Sequence, residues 1–179
     1  MAKNLKDIDN KAAEKGSAME TFWQFIKFIV VSLGACIVQV VSLAILYNIP
    51  AIKELSVEPF KWWVFDYPVI EGKRCGLALF ISTNAANILA QIVAFFINKE
   101  KTFNSSANTA VTLPIYIVFT VALITFSAWL IPIIFQLCVD KFALGSGLAL
   151  TIAQACCSAL QFFLYFPVDK ILFHKKKED

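Results

Sequence analysis

Long apolar stretches without charged residues dominate the pattern of hydrophobic and polar positions along this chain. Asp, Glu, Lys and Arg are absent from four such stretches, at residues 28–47, 75–98, 102–139 and 142–168. An α-helix rises about 1.5 Å per residue, so about 20 apolar residues cross a hydrocarbon core about 30 Å thick. We therefore predict an all-α membrane protein with four transmembrane helices, at about residues 23–47, 76–98, 111–135 and 146–168.

The composition supports lipid as the surroundings of these helices. Of the 179 residues, 59% are hydrophobic and 16% are charged, and the mean hydropathy is +0.69. An ordinary soluble domain is roughly half apolar and a quarter charged. We therefore expect no soluble catalytic domain in this chain.

Basic residues are concentrated on one side of the predicted membrane domain. Eleven lysines lie in the first tail, after helix two and in the last tail, against five basic residues on the other side. Because segments rich in Lys and Arg stay on the cytoplasmic side of the membrane, both termini are predicted to be cytoplasmic. The prediction gives a tail at 1–22, a four-helix domain at 23–173 with an outer loop at 48–75, and a tail at 174–179. Residues 1–22 lack the features of a cleaved signal peptide.

Polar but uncharged residues form stripes along three of the predicted helices. Spacings of three, four and seven residues place side chains on one helix face. The stripes consist of Ser32, Cys36, Gln39 and Ser42 in helix one, Asn84, Asn87, Gln91 and Asn98 in helix two, and Gln154, Ser158, Gln161 and Tyr165 in helix four. An unpartnered amide in hydrocarbon costs several kcal/mol, so we expect the stripes to face each other, water or a ligand.

Two interpretations of the stripes stay open. The amides either hydrogen-bond the helices to one another or line a hydrophilic groove that binds a ligand. Three aligned stripes across the whole membrane favour the groove, and amides suit sugar hydroxyls because they donate and accept without a fixed charge. The candidate binding residues are Gln39, Asn84, Asn87, Gln91, Asn98, Gln154, Ser158 and Gln161.

The chain lacks the motifs of several other functions. It has no P-loop, no GxSxG motif and no paired acids, so we expect no enzyme and no catalytic residue. Its five cysteines and one histidine lack metal-ligand spacing, so no metal or other cofactor is expected. Cys75 and Cys138 lie near the outer helix ends, and their pairing stays open. No carboxylate lies within the predicted helices, which predicts passive transport.

Two features outside the stripes each allow two interpretations. The lysines at the cytoplasmic helix ends, Lys27, Lys99, Lys101 and Lys170, form a basic rim. This rim either binds a lipid phosphate or only reflects the topology of the chain. The outer loop is rich in proline and aromatic residues, and it is either an anchor at the membrane surface or a lid over a headgroup site.

The end of helix two carries a family resemblance. Residues 94–103 resemble the signature of the GtrA-like family, with Phe95, Asn98 and Phe103 retained and Lys99 in place of the usual Arg. Members are four-helix bacterial membrane proteins of cell-surface polysaccharide and teichoic acid glycosylation. The resemblance implies translocation of a polyprenyl-phosphate-linked sugar made by a partner membrane glycosyltransferase. A weak parallel repeat of two helix pairs agrees with it, because helices two and four both end in a basic residue followed by Phe103 or Phe173.

We therefore expect a passive flippase of the bacterial plasma membrane that moves a polyprenyl-phosphate-linked monosaccharide to the outer leaflet for cell-envelope glycosylation. The rim would hold the phosphate and the stripes the sugar, while the prenyl chain stays among the membrane lipids. A homodimer is expected because four helices are few for a complete path, and nucleic acid is not an expected partner. Two other functions stay open: a scaffold for a glycosyltransferase that moves nothing, and a small-solute exporter.

Overall fold

The computed structural model of the chain describes residues 5–69 and 76–173. Within them, four helices are long and apolar enough to cross a membrane, which confirms the predicted all-α membrane fold. These helices are α2 at Ser17–Tyr47, α4 at Gly76–Ile97, α5 at Thr109–Phe142 and α6 at Ser146–Leu172. The shorter elements are α1 at Leu5–Glu14, α3 at Pro50–Glu54, a 3₁₀ turn at Leu55–Val57, β1 at Phe60–Trp62 and β2 at Phe65–Tyr67.

The four long helices pack as two antiparallel pairs. Helix α2 lies along α4 and α5 lies along α6, while α4 also contacts α5 and α2 contacts α6 only over a short stretch. Small residues, Ala35, Ala90 and Ala94, let α2 and α4 approach closely. We call the end of the bundle where α2 begins and α6 finishes the terminal end, and the opposite end the hairpin end.

The helices extend beyond their predicted bounds. Helix α2 begins at Ser17, and α5 begins directly after Asn108, whose side chain accepts a hydrogen bond from the Ala110 amide. Such a capping bond satisfies a helix donor that has no partner within the helix. Helix α6 continues to Leu172, so Asp169 lies inside it and is fully buried. The expectation that no carboxylate lies within the membrane helices is therefore wrong for α6, and the longer α2 and α5 also contain Glu20 and Asp140 near their ends.

Helix α4 changes its winding where it reaches the terminal end. Residues Asn98–Thr102 form a π-helical turn, and the Phe103 amide donates to the Asn98 carbonyl oxygen at 2.9 Å. A π turn accommodates an additional residue and is frequent at functional sites. Asn98 and Thr102 are buried by this turn, which directs both side chains into the bundle.

The outer loop folds back on the hairpin end. Strands β1 and β2 pair antiparallel, and the rings of Phe60, Phe65 and Tyr67 lie 4.0, 5.3 and 5.5 Å from the ring of Phe80. Gly76 has φ of 62°, and a Cβ there would overlap the Glu58 carbonyl, so this position requires glycine. Cys75, whose pairing with Cys138 the sequence leaves open, and the tail at 174–179 lie outside the described residues, whereas Cys138 is a buried free thiol.

Candidate functional site

A polar chamber occupies the middle of the bundle and its hairpin half. It consists of two cavities of about 200 and 340 Å³ that share Gln39, Gln91, Ser158 and Gln161 in their walls. The other polar residues in the walls include Ser32, Thr83, Asn84, Asn87, Asn98, Tyr116, Ser127, Gln154 and Tyr165. All eight residues predicted to form the groove therefore line one chamber, contributed by α2, α4 and α6.

Half of these eight residues are hydrogen-bonded within the protein. The bonds are Tyr116 Oη to Gln91 Oε1 at 3.0 Å, Gln161 Nε2 to Ser127 Oγ at 2.7 Å, Asn98 Nδ2 to Asp169 Oδ2 at 2.8 Å and Asn84 Nδ2 to the Phe80 carbonyl at 2.7 Å. Three of these bonds join different helices. For these four residues, hydrogen bonds within the protein account for the polar side chain, and no ligand is required.

The other half has no internal partner. Gln39, Asn87, Gln154 and Ser158 line the chamber, and their side chains form no hydrogen bond with any residue in 5–69 or 76–173. Unpaired amides in a membrane protein need water or a ligand, because hydrocarbon offers neither donors nor acceptors. These four side chains are therefore available to a polar molecule in the chamber.

The chamber opens sideways between α2 and α6 in the hairpin half. There α6 buries the small residues Ala149, Ala153 and Cys157, whereas Gln154 and Ser158 in the chamber wall are exposed, as is Cys36 on α2. Nearer the terminal end the gap is closed by aromatic contacts. The ring pairs are Phe25 with Phe162 and Phe166 at 5.7 and 5.0 Å, and Phe28 with the same two rings at 5.1 and 5.4 Å.

The β-hairpin covers the chamber from the hairpin end. Phe65 and Tyr67 of β2 form part of its wall. Burial raises the pKa of the Tyr67 phenol, and a hydrogen bond with Asn84 opposes this shift. The phenol thus stays protonated at neutral pH, where it both donates and accepts. This position agrees with the interpretation of the outer loop as a lid, while the exposed Trp62 and Trp63 suit the anchor.

A buried aromatic cluster closes the chamber at the terminal end. Its members are the aromatic residues Phe28, Phe95, Phe103, Tyr116, Tyr165 and Phe173, together with Leu123. The Asn98 and Asp169 side chains are both buried at this end, and Asn98 Oδ1 accepts from Thr102 Oγ1 at 2.9 Å. Asp169 Oδ1 has no hydrogen-bond partner within the described part of the chain. Asp169 lies outside the predicted helix four, whose bounds end just before this first charged residue.

The contacts at this end repeat about an approximate two-fold axis between the helix pairs. Phe95 lies 5.2 Å from Tyr116 and 5.1 Å from Phe173, and Phe166 lies 5.4 Å from Phe28 and 6.1 Å from Phe103. Lys99 of the first pair donates to Thr109 of α5, as Lys170 of the second donates to Thr21 of α2. Asn98 and Asp169 occupy equivalent positions and bond to each other near the axis, in agreement with the predicted parallel repeat.

The rim lysines hold the terminal end together. Lys27 forms a salt bridge with Asp9 of α1 at 2.9 Å and donates to the Lys101 carbonyl at 2.8 Å. Lys99 and Lys170 are bonded to threonine hydroxyls, and only Lys101 is exposed without a side-chain partner in the described residues. The small cavity beside Lys27 also contains Asp9 and Glu20, which would repel a phosphate. The rim is not assembled as a phosphate cradle in this arrangement.

Neither a metal site nor similarity to known proteins assigns a function to the chamber. Among the described residues, no three His, Cys, Asp or Glu side chains are grouped so that they could hold a metal ion. The chain matches no protein-family model, and no curated protein and no solved structure is significantly similar to it.

Proposed function

We propose that this protein is a flippase that moves a polyprenyl-phosphate-linked monosaccharide across the bacterial plasma membrane for cell-envelope glycosylation. The observation that carries the proposal is the chamber with four unpartnered polar side chains in a four-helix membrane bundle. A lipid headgroup crosses a membrane slowly because its hydroxyls lose water in hydrocarbon. Side chains that replace those hydrogen bonds lower that barrier.

The chamber suits a neutral, hydroxyl-rich headgroup. Its larger cavity of about 340 Å³ lies within the range of ligand pockets, about 300–1,000 Å³. The free groups are amides and a hydroxyl at Gln39, Asn87, Gln154 and Ser158. Each amide offers donors and an acceptor without a charge, which matches sugar hydroxyls better than it matches an ion.

The sideways opening suits an amphiphile. In the hairpin half the gap between α2 and α6 connects the chamber to the outer surface of the bundle, which carries exposed apolar residues such as Val40 and Leu160. A prenyl chain would remain in lipid along this gap while the headgroup enters. A water-soluble solute needs no such opening, so the exporter is a weaker candidate.

The phosphate of the substrate would be bound outside the chamber, by the rim lysines. Lys27, Lys99 and Lys170 already have partners within the protein, so they would bind phosphate only after the terminal end rearranges. We propose that the rim lysines contact the phosphate when the terminal end is open. The scaffold function would leave the four free polar groups without a role, and we therefore rank it second.

Reconstitution tests the proposal. Liposomes carrying a polyprenyl-phosphate sugar are treated with an impermeant sugar-oxidising reagent, and the rate at which the protected sugar becomes reactive is measured. We expect the triple variant Gln39→Met/Asn87→Leu/Gln154→Met to slow this exposure roughly tenfold or more, since it removes three hydrogen-bonding groups worth about 1 kcal/mol each. Its side chains keep their approximate size, and none of the three loses a hydrogen bond to another described residue.

A matched control makes the same chemical change outside the chamber. Gln136 is an exposed amide of α5 that does not line the chamber, and Gln136→Met should leave the exposure rate unchanged. Wild-type exposure no faster than in empty liposomes, with the folded protein present, would favour the scaffold. Equal loss in the triple variant and in Gln136→Met would remove the chamber from the path.

A further inference from the structure

Asp169 has a carboxyl group at a position where an ionised side chain costs much free energy, because the position is buried away from water. It is fully buried at the terminal end of α6, one helical turn before Phe173 of the aromatic cluster. Its Oδ2 accepts one hydrogen bond, from Asn98 at 2.8 Å, and its Oδ1 has no partner in the described residues. A buried carboxylate normally needs a counter-charge or several donors. One neutral amide provides neither.

Among the described residues, no cation compensates this carboxyl in the closed arrangement. The buried phenols of Tyr116 on α5 and Tyr165 on α6 donate to Gln91 and Thr120, so they provide neither a positive charge nor a hydrogen bond to Asp169. The lysines on the elements around it are directed elsewhere: Lys27 of α2 to Asp9 and the Lys101 carbonyl, Lys99 to Thr109, and Lys170 to Thr21, while Lys101 is exposed. Within residues 5–69 and 76–173, no ion pair includes Asp169.

The position of Asp169 connects this carboxyl to the closure of the chamber. Its partner Asn98 also lines the chamber, so the amide separates the chamber from the carboxyl. The same bond joins the two helix pairs near the approximate two-fold axis, and the Phe103 and Phe173 rings, with centroids 5.7 Å apart, also pack between the two pairs at this end. When the two helix pairs separate at the terminal end, the Asn98–Asp169 bond breaks and the carboxyl is exposed to water.

We propose that Asp169 binds a proton when the terminal end is closed and releases it when that end opens, so that lipid movement is coupled to proton movement. The proton resides on the unpartnered Oδ1 in the closed form. It passes to water at the terminal end when opening hydrates the carboxyl, because hydration stabilises the carboxylate. When that end closes again, the carboxylate takes up a proton from water in the chamber as the Asn98 amide turns aside, so that one proton crosses the membrane in each cycle. This inference rests on the proposed flippase function and replaces its passive character, which depended on the absence of a carboxylate from the helices.

Coupling makes a quantitative prediction about the steady state. A passive flippase equalises its substrate between the leaflets, whatever the pH on each side. Movement of one proton per lipid instead shifts the leaflet ratio by up to about tenfold for each pH unit of gradient, and reversing the gradient reverses the shift. The probe is the polyprenyl-phosphate sugar, and its outer fraction is read with the impermeant oxidant after the ratio is constant.

The test compares wild type with Asp169→Asn. Asparagine has the size of a protonated aspartic acid and still accepts from Asn98, so this variant should fold and should equalise the lipid without any response to the gradient. Wild-type ratios that stay equal under gradients of either sign, while exposure remains faster than in empty liposomes, would overturn the coupling and leave the flippase intact. A wild type that moves no lipid would overturn both proposals.

A second measurement examines the proton without transport. Infrared difference spectra on changing the pH report the C=O stretch of a protonated carboxylic acid in the purified protein. We expect wild type to retain a protonated carboxyl at neutral pH, where exposed carboxylates are ionised, and Asp169→Asn to lack that band. Identical spectra for the two proteins would show that Asp169 holds no proton and would overturn the proposal, irrespective of the liposome result.

Discussion

The two contacts between the helix pairs occupy equivalent places in the fold but differ in chemistry. In the contact of α4 with α5, Tyr116 donates to Gln91 at 3.0 Å and packs against Phe95. In the contact of α6 with α2, Phe28 and Phe162 take the places of that tyrosine and glutamine, and their rings lie 5.1 Å apart. The first contact is polar and continuous, whereas the second is apolar and short.

This difference indicates which side of the bundle moves. A hydrogen bond between helices in a membrane holds one geometry, while aromatic rings pack with several geometries of similar energy. The chamber is open beside the apolar contact, between α2 and α6. We infer that the α4–α5 contact is the fixed side of the bundle and that the α2–α6 contact is the side that parts for a lipid headgroup.

Cross-linking the two contacts in turn should give the largest effect. In a background without native cysteines, Phe28→Cys/Phe162→Cys joins α2 to α6 through a reducible cross-linker, and Gln91→Cys/Tyr116→Cys joins α4 to α5. We expect the first cross-link to reduce sugar exposure in liposomes to the background rate and the second to retain most of it. Each variant before cross-linking is its own control, and reduction should restore activity. Equal inhibition by both cross-links would contradict the assignment of a moving side.

The bond on the two-fold axis should matter next most, because it joins the helix pairs beside both contacts. Asn98→Leu leaves Asp169 Oδ2 and Thr102 Oγ1 without their partner, which should cost about 1–3 kcal/mol of stability. Unfolding in detergent measures the loss. Asn87→Leu is the same substitution at an amide without a partner, so it should leave stability nearly unchanged; a similar loss at both sites would refute the division into partnered and free amides.

We expect the smallest effect from substitutions at the two equivalent aromatic positions, Tyr116 and Phe28. Tyr116→Phe removes the hydroxyl that donates to Gln91 and should destabilise the protein by about 0.6 kcal/mol, the average for such bonds in a membrane. Phe28→Tyr adds a hydroxyl at the equivalent position, where Phe162 offers no acceptor, and should bring no stabilisation. Thermal unfolding of both variants beside wild type checks this, and equal stability of Tyr116→Phe and wild type would mean that the polar contact contributes nothing.

The sequence predicted the parts of the molecule that depend on periodicity. Four helices follow from the uncharged stretches, and the spacing of residues such as Asn84, Asn87 and Gln91 placed them on one face, which lines the chamber. Periodicity does not reveal which amides are paired across helices, because Tyr116 and Ser127 belong to a helix with no predicted stripe. The partners of the rim lysines and the fold of the outer loop depend on tertiary contacts in the same way.

Asp169 was missed for a different physical reason. A charged residue at the end of an apolar stretch usually marks the membrane boundary, where water solvates it. In this chain α6 continues past it to Leu172, and its side chain is fully buried in the bundle. A signal was nonetheless present, since Asn98 and Asp169 each stand shortly before a phenylalanine in the predicted repeat.

The most direct test of the account is to locate the headgroup in the protein. A polyprenyl-phosphate sugar with a photoreactive group on the sugar is irradiated with the reconstituted protein, and labelled peptides are identified by mass spectrometry. We predict labels near Asn87 and Gln154, suppressed by unlabelled lipid and by the triple variant Gln39→Met/Asn87→Leu/Gln154→Met. Labels confined to the outer surface around exposed residues such as Val118, and unaffected by the triple variant, would contradict a chamber that binds the headgroup.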